Sequence, residues 1–286
     1  MKHALAVFLS VCACFEVGCQ SAPPAKHYPI QAVVISADAD KKLITVKHGD
    51  IPGLMPAMTM TYQVAEPKQI EKLQPGDTIS ADLVVSENSG RLEKIVLMSK
   101  GDGKTVPGTT QRIPAKGDEV PDFALVNQDG KLLHFHDFHG KTLLVTFIYT
   151  RCPLPDFCPR MNENFRAVQK LLEDTPDATN RMEFLSISFD PKHDTPAVLQ
   201  HYGTIYKRSA PGEKSFEWQF AAPSERDLPA IAQFFGLVIQ PEQAQIVHSL
   251  STTLIGPDGK VVEWYSGNDW NPSDIAQAIT TLLHQT

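Results

Sequence analysis

Two cysteines in "RCPLPDFCPR", Cys152 and Cys158, carry the most chemistry in this chain, with the five residues "PLPDF" between them. Three readings fit the pair: a disulfide that staples a loop, a redox couple, or two soft ligands for a metal. The apolar run "LLVTFIYT" just before them reads as a strand covered on both faces. Met161, Phe165, Val168 and Leu172 recur at helical spacing after them and predict a helix that starts at Cys158. A thiol at a helix N-terminus faces unpaired N–H groups and the positive end of the dipole, which favours its thiolate. A strand-to-helix junction also lies at the end of the sheet where α/β folds keep their chemistry. A staple across so short a loop stabilises little, because the effect grows with loop length. Redox and metal roles both stay open. Two sulfurs need at least one more donor to hold a transition metal. His248 in "QIVHSLSTTLI" is the candidate, set against the plain reading of a loop histidine.

A second group of soft donors lies in "HGDIPGLMPAMTMTYQV", which holds Met55, Met58 and Met60, three of the seven methionines. In a strand, Met58, Met60 and Tyr62 share one face while Thr59 and Thr61 point the other way. That face suits a core. Thioethers are also soft ligands that prefer Cu(I), and His48 at the end of "LITVKH" can add an imidazole. Two other features read as ordinary structure. His134, His136 and His139 in "HFHDFH" are expected on a solvated surface, and Asp190 before Pro191 as a strand exit.

The elements that must position these groups fall into two units. "YPIQAVVISA", "LITVKH", "MTMTYQV", "TISADLVV" and "LEKIVLM" are five β-rich runs between Asp, Gly and Pro turns, and only a small curled barrel can bury them. After Asp122 strands alternate with helices: "LLVTFIYT", the helix from Cys158, "MEFLSISFD", a helix capped by Thr195 with Pro196 at its first position, and "WQFAA". "SERD" at Ser224 reads as a capping box for a helix through Phe235. "STTLIGPDGKVVEWY" reads as a hairpin, and Ile275, Ile279 and Leu282 form one face of a last helix starting at Asn271 and Pro272. This order predicts a thioredoxin-like α/β domain behind a small all-β five-stranded, OB-like barrel. The expected boundaries are a leader over 1–19, a linker over 20–28, the barrel over 29–99, a linker over 100–117 and the thioredoxin-like domain over 118–286.

The leader "MKHALAVFLSVCACFEVGCQSAPPAK" has a cationic start and an apolar run from Ala4 to Phe15, too short to span a bilayer and suited to export. A cysteine closing such a run resembles the lipobox of bacterial lipoproteins. Cys19, followed by the tether-like "QSAPPAK", is the lipidation candidate, with Cys14 as the alternative. Export leaves Cys152 and Cys158 as the thiols of the mature chain in an oxidising compartment. The expected location is periplasmic, tethered to the membrane by lipid. A formal net charge of −7 offers no basic field, so nucleic acid is excluded as a partner.

"LLVTFIYTRCPLPDFCPRM", "SISFDPKHDTP", "WQFAAPS" and "HSLSTTLIGPDGKVVEWY" together resemble the SCO/SenC family of thioredoxin-like copper proteins, from about Gly117 onward. The resemblance implies copper, as Cu(I) or Cu(II), held by Cys152, Cys158 and His248. It implies a metallochaperone serving an acceptor such as the dinuclear copper site of cytochrome c oxidase. The alternative it leaves is a thiol–disulfide oxidoreductase, with Cys152–Cys158 as redox pair and disulfide, reducing cysteines of a copper-site partner. The family usually has three residues between the cysteines where this chain has five. The two-residue spacing of thioredoxins is absent, and no peroxiredoxin pattern precedes Cys152. The first unit resembles the CusF-type periplasmic copper carriers. That likeness implies a second copper site at His48, Met58 and Met60, with Met55 where the family has tryptophan.

Overall fold

The computed structural model describes residues 25–55, 57–86, 89–103, 113–155, 157–207, 214–237, 239–242, 245–268 and 270–285. The leader, with Cys14 and Cys19, and residues 104–112 of the expected linker lie outside them.

Strands β1 (Lys26–Asp38), β2 (Leu43–His48), β3 (Met58–Val64), β4 (Thr78–Ser86) and β5 (Ser89–Ser99) close into a barrel in the order β1-β2-β3-β5-β4. Closure leaves no sheet edge and lets five short strands share one core. Ile44, Val46, Met60, Tyr62, Ile79 and Leu83 are buried in it. The β2–β3 register pairs Ile44 with Tyr62, Val46 with Met60 and His48 with Met58, so these six positions share one face.

The second unit is a seven-stranded sheet with helices. Its elements are β6 (Ala124–Asn127), β7 (Leu132–His134), β8 (Thr142–Ile148), α1 (Cys158–Leu172), α2 (Ala178–Arg181), β9 (Met182–Ser188) and α3 (Pro196–Tyr206). They continue with β10 (Glu217–Ala222), α4 (Leu228–Phe234), β11 (Ile239–Glu242), β12 (Gln245–His248), β13 (Ser251–Ile255), β14 (Val261–Ser266) and α5 (Pro272–Gln285). The sheet order is β14-β13-β8-β9-β10-β6-β7, with β9 parallel to both β8 and β10. This is the thioredoxin-like architecture expected from the strand–helix alternation. Every residue of β8 is buried, which explains its unbroken apolar run. Met161, Phe165, Val168 and Leu172 of α1 are fully buried, with the Phe165 ring 5.5 Å from Phe184 and 5.8 Å from Trp218.

Three local expectations shift. Only half of the Ser224 box forms: the Asp227 N–H donates to Ser224 Oγ at 3.2 Å, but the Asp227 carboxylate accepts the serine hydroxyl at 2.7 Å instead of the serine backbone N–H. Yet α4 begins only at Leu228, because Pro229 has no N–H to continue a helix from Ser224. It ends at Phe234, and Phe235 follows as its cap. On α5 the buried stripe runs through Ile275, Ile279 and Leu283, with Leu282 only half-buried.

The two units touch. Strand β12 packs alongside β3, and the Ser266 hydroxyl donates to the Thr61 carbonyl at 3.0 Å. A cleft of about 290 Å³ runs between Leu43, Thr61 and Gln63 on the barrel and Trp264, Tyr265 and Trp270 opposite. Thr59 and Thr61, expected to point away from the barrel core, are themselves buried at 0% and 7% exposure.

A buried polar chain seats α1 on the sheet. Trp218 Nε1 donates to Ser186 Oγ at 3.0 Å, Ser186 donates to Asn162 Oδ1 at 3.1 Å, and Asn162 Nδ2 donates to Tyr202 Oη at 2.9 Å. Removing the central amide strands a hydroxyl on each side, and each buried orphan costs about 1–3 kcal/mol. Asn162→Leu is therefore expected to destabilise the protein by about 2–4 kcal/mol in denaturant titration, and a cost below about 0.5 kcal/mol would contradict the account.

Candidate metal centre

Cys152 lies in the loop that leaves β8, and two carboxylates fix the start of that loop. Asp194, 1% exposed, accepts the Thr150 N–H at 3.0 Å, the Thr150 hydroxyl at 2.5 Å and the Ser188 hydroxyl at 2.5 Å. A buried carboxylate needs such donors, and these tie the end of β8 to the end of β9. Asp190, read from sequence as a strand exit, accepts Arg151 at 2.5 Å and its own N–H donates to Ser188 Oγ. It marks the exit and also holds the residue next to Cys152.

The five-residue segment between the cysteines turns directly into α1. The Leu154 carbonyl accepts the Phe157 N–H at 3.1 Å, and the Pro155 carbonyl accepts the Arg160 N–H at 3.2 Å. Cys158 opens the helix, fully buried, and Cys152 is half-buried. The two sulfurs are not bonded to each other. His248 arrives from the end of β12, a strand that the sequence pattern did not single out. The ligating atoms of Cys152, Cys158 and His248 all lie within 4.8 Å of one another, with Cys158 Sγ 3.9 Å from His248 Nε2.

The imidazole is oriented for ligation. His248 Nδ1 lies 2.9 Å from the Ser249 carbonyl, which can only accept, so the proton belongs on Nδ1 and the Nε2 lone pair faces the sulfurs. Three aromatic rings wall it in: Phe189 with centroids 4.4 Å apart, Tyr149 edge-on at 5.6 Å and Phe157 edge-on at 6.3 Å. No spacing pattern pointed to these rings, since they come from three separate loops and strand ends.

The electrostatics reverse one expectation. The hydrogen bond from the Cys158 thiol lowers the Cys152 thiol well below its ordinary range, with burial opposing and the Cys158 backbone N–H adding to the lowering. Burial pushes Cys158 well above that range, and the neighbouring Cys152 sulfur pushes it further. The helix N-terminus was expected to favour the Cys158 thiolate. Complete burial outweighs it, and the half-exposed Cys152 takes the charge instead.

The barrel gathers a second set of soft donors. His48 is 2% exposed, and its Nδ1 lies 2.7 Å from the Gly49 carbonyl, again leaving Nε2 as a bare lone pair. Burial lowers its pKa, which keeps the ring neutral. Met55 is set by a tight turn, Ile51 to Leu54, in which Pro52 is followed by Gly53 at φ +75. The backbones of Ile51 and Met55 exchange hydrogen bonds at 2.8 and 3.1 Å. Met60 comes from β3, and Met58 is the register partner of His48, its side chain lying outside the description. Sequence reasoning missed the role of Tyr62. Its hydroxyl lies 3.2 Å from His48 Nε2, 3.6 Å from Met60 Sδ and 3.7 Å from Met55 Sδ. His134 and His136 flank Asp122 on the surface, as expected of a solvated tract.

The family model described as SCO1/SenC matches residues 111–284, and the one described as copper binding periplasmic protein CusF matches residues 27–96. The SCO1 protein homolog of Bacillus subtilis is 34% identical over 161 residues, covering 54% of this chain and 78% of that protein. The human mitochondrial SCO1 homolog is 26% identical, covering 56% of this chain and 52% of its own length. Among solved structures, a SCO1/SenC family lipoprotein from Bacillus anthracis superposes with a TM-score of 0.51 at 28% identity, over 60% of this chain and 99% of that one. Copper-bound ScoI of Arabidopsis thaliana, at 20% identity and a TM-score of 0.50, shares the fold over 60% of this chain and all of its own. The chain belongs to the SCO1/SenC family.

The division of charge between the sulfurs has a direct readout. In reduced, metal-free protein, iodoacetamide is expected to alkylate Cys152 at mildly acidic pH, where an ordinary thiol is protonated, while Cys158 stays unmodified. Peptide mass spectrometry over a pH series checks this, and labelling of Cys158 first would reverse the assignment.

Proposed function

We propose that this chain is an exported copper metallochaperone that holds copper at Cys152, Cys158 and His248 and passes it to an acceptor protein. The observation that carries the reading is the convergence of two sulfurs and one imidazole nitrogen within 4.8 Å. Two soft sulfurs with a borderline nitrogen suit Cu(I) and still tolerate Cu(II), as a carrier that must release its cargo requires. Orientation of His248 through the Ser249 carbonyl serves the same end, because a ligand already aimed loses little freedom on binding. The barrel is the second copper site of the proposal, at His48, Met55, Met58 and Met60. Two sites on one chain raise the effective concentration of copper that each sees. The dinuclear copper site of cytochrome c oxidase is the acceptor the family resemblance implies. A lipid at Cys19, or Cys14, would keep the carrier at the membrane where that acceptor sits. The expected domain limits, 29–99 and 118–286, belong to the same proposal.

A second reading rests on the unequal thiols. Cys152 as thiolate could attack a disulfide of a partner, releasing one partner thiolate and forming a mixed disulfide. Cys158, on losing its proton, would then attack the Cys152 sulfur, free the partner's second thiolate and close a Cys152–Cys158 disulfide. That route needs neither His248 nor the methionines.

Anaerobic titration with Cu(I) separates the two. Cys152→Ser with Cys158→Ser is expected to remove one copper per chain. His248→Ala is expected to weaken binding there by at least about tenfold, since losing even an outer-shell partner of a ligand costs about that much. Unchanged stoichiometry in the double variant would sink the metal centre. Partner-disulfide reduction that survives His248→Ala at full rate, with copper delivery absent from both proteins, would favour the reductant.

A further inference from the structure

The barrel site contains a group that its donors do not explain. Three atoms with lone pairs, His48 Nε2, Met60 Sδ and Met55 Sδ, approach one phenol oxygen at 3.2, 3.6 and 3.7 Å. A phenol has one proton and can satisfy one of them. The imidazole is the strongest acceptor of the three, and its other nitrogen is already committed to the Gly49 carbonyl, so the proton goes to Nε2. The two thioethers, weak acceptors, then face the same oxygen without a hydrogen. Tyr62 is 3% exposed and Met60 9%, so water reaches the set only from the side of Met55, which is partly buried. Three soft or borderline donors around one shared proton is an arrangement that a soft monovalent cation would satisfy better.

We propose that the Tyr62 hydroxyl is a built-in placeholder for the barrel's metal: it occupies the point on which His48, Met55 and Met60 converge, and Cu(I) binds by displacing it. The inference rests on the reading of the barrel as a copper site and adds to it a residue that sets how tightly the site holds its cargo. Binding breaks the bond from Tyr62 to His48 Nε2, the phenol keeps its proton, and its oxygen must leave the centre. The ring stays buried on the core face of β3, where Ile44 of β2 is its register partner. Each copper bound therefore costs one buried hydrogen bond, and each copper released restores it. The site is weakened by design toward release, and the metal-free barrel keeps the His48 Nε2 lone pair satisfied in the meantime. Tyr62 is a positioning residue, not a ligand.

The test uses full-length protein carrying Cys152→Ser and Cys158→Ser, so that only the barrel competes for metal, with Cu(I) and redox-inert Ag(I) as probes. Tyr62→Phe keeps the ring and deletes the hydroxyl. It is expected to bind Cu(I) about 3- to 10-fold more tightly, the fold-change that follows from no longer breaking one net hydrogen bond. A near-UV difference spectrum on adding one equivalent of Ag(I) should show a phenol signal that is absent from Tyr62→Phe. This second readout holds even if that variant is less stable. Equal or weaker affinity in Tyr62→Phe, or no phenol signal, overturns the placeholder. His48→Ala discriminates the levels: if it abolishes binding while Tyr62→Phe changes nothing, only the placeholder fails. If His48→Ala leaves binding unchanged, the barrel copper site fails with it.

Discussion

Complete burial of one sulfur beside a half-buried partner is the constraint on which the centre depends. Cys158 sits where α1 leaves the loop, covered by the sheet below and the aromatic rings around His248, and no water reaches it. An ionised sulfur there would be costly, so the proton stays on Cys158 and stabilises charge on Cys152. The other parts follow from holding that pair. Asp194 and Asp190 bind the loop on one side, the Asn162 chain seats α1 on the other, and the Ser249 carbonyl turns His248 toward both sulfurs. The same geometry serves a ligand set and a redox pair, which is why the two readings share every residue but one.

Much of this was legible in the sequence, and the parts that were not share a cause. β-rich runs between turn residues located the five barrel strands, an unbroken apolar run the buried β8, and helical spacing the α1 face, because in those elements burial dictates residue type. The Cys152–Cys158 pair and His248 were legible as donor types. Their convergence was not, because 90 residues separate Cys158 from His248 and only the order of the sheet brings them together. The ionisation order of the thiols was misjudged for a related reason. A helix dipole can be read from local sequence, whereas full desolvation depends on Tyr149, Phe157 and Phe189 folding over the site. Asp190 looked like punctuation because its partner, Arg151, lies far behind it in the chain.

The barrel makes the same point on a smaller scale. Alternation correctly put Met60 and Tyr62 on one face of β3, and the β2–β3 register adds His48 to it. It could not show that three donors crowd a single hydroxyl, since that depends on the turn carrying Met55. Nor could it show that the threonine face is covered. Thr59 and Thr61 read as solvent-facing in an isolated barrel, and here the second unit lies over them.

That covered threonine face has a consequence for how such a protein can be taken apart or assembled. A stand-alone barrel can place any small polar residue on the outside of β3, but this strand is walled on both sides. At the seam the Thr61 backbone carbonyl accepts from Ser266, and the threonine side chain faces a cleft closed by Trp264 and Tyr265. Bulk added at Thr61 would fill the cleft toward Trp264 and Tyr265. The two halves are thus tailored to each other and are not interchangeable cassettes: transplanting either into another fusion would require resurfacing the seam first.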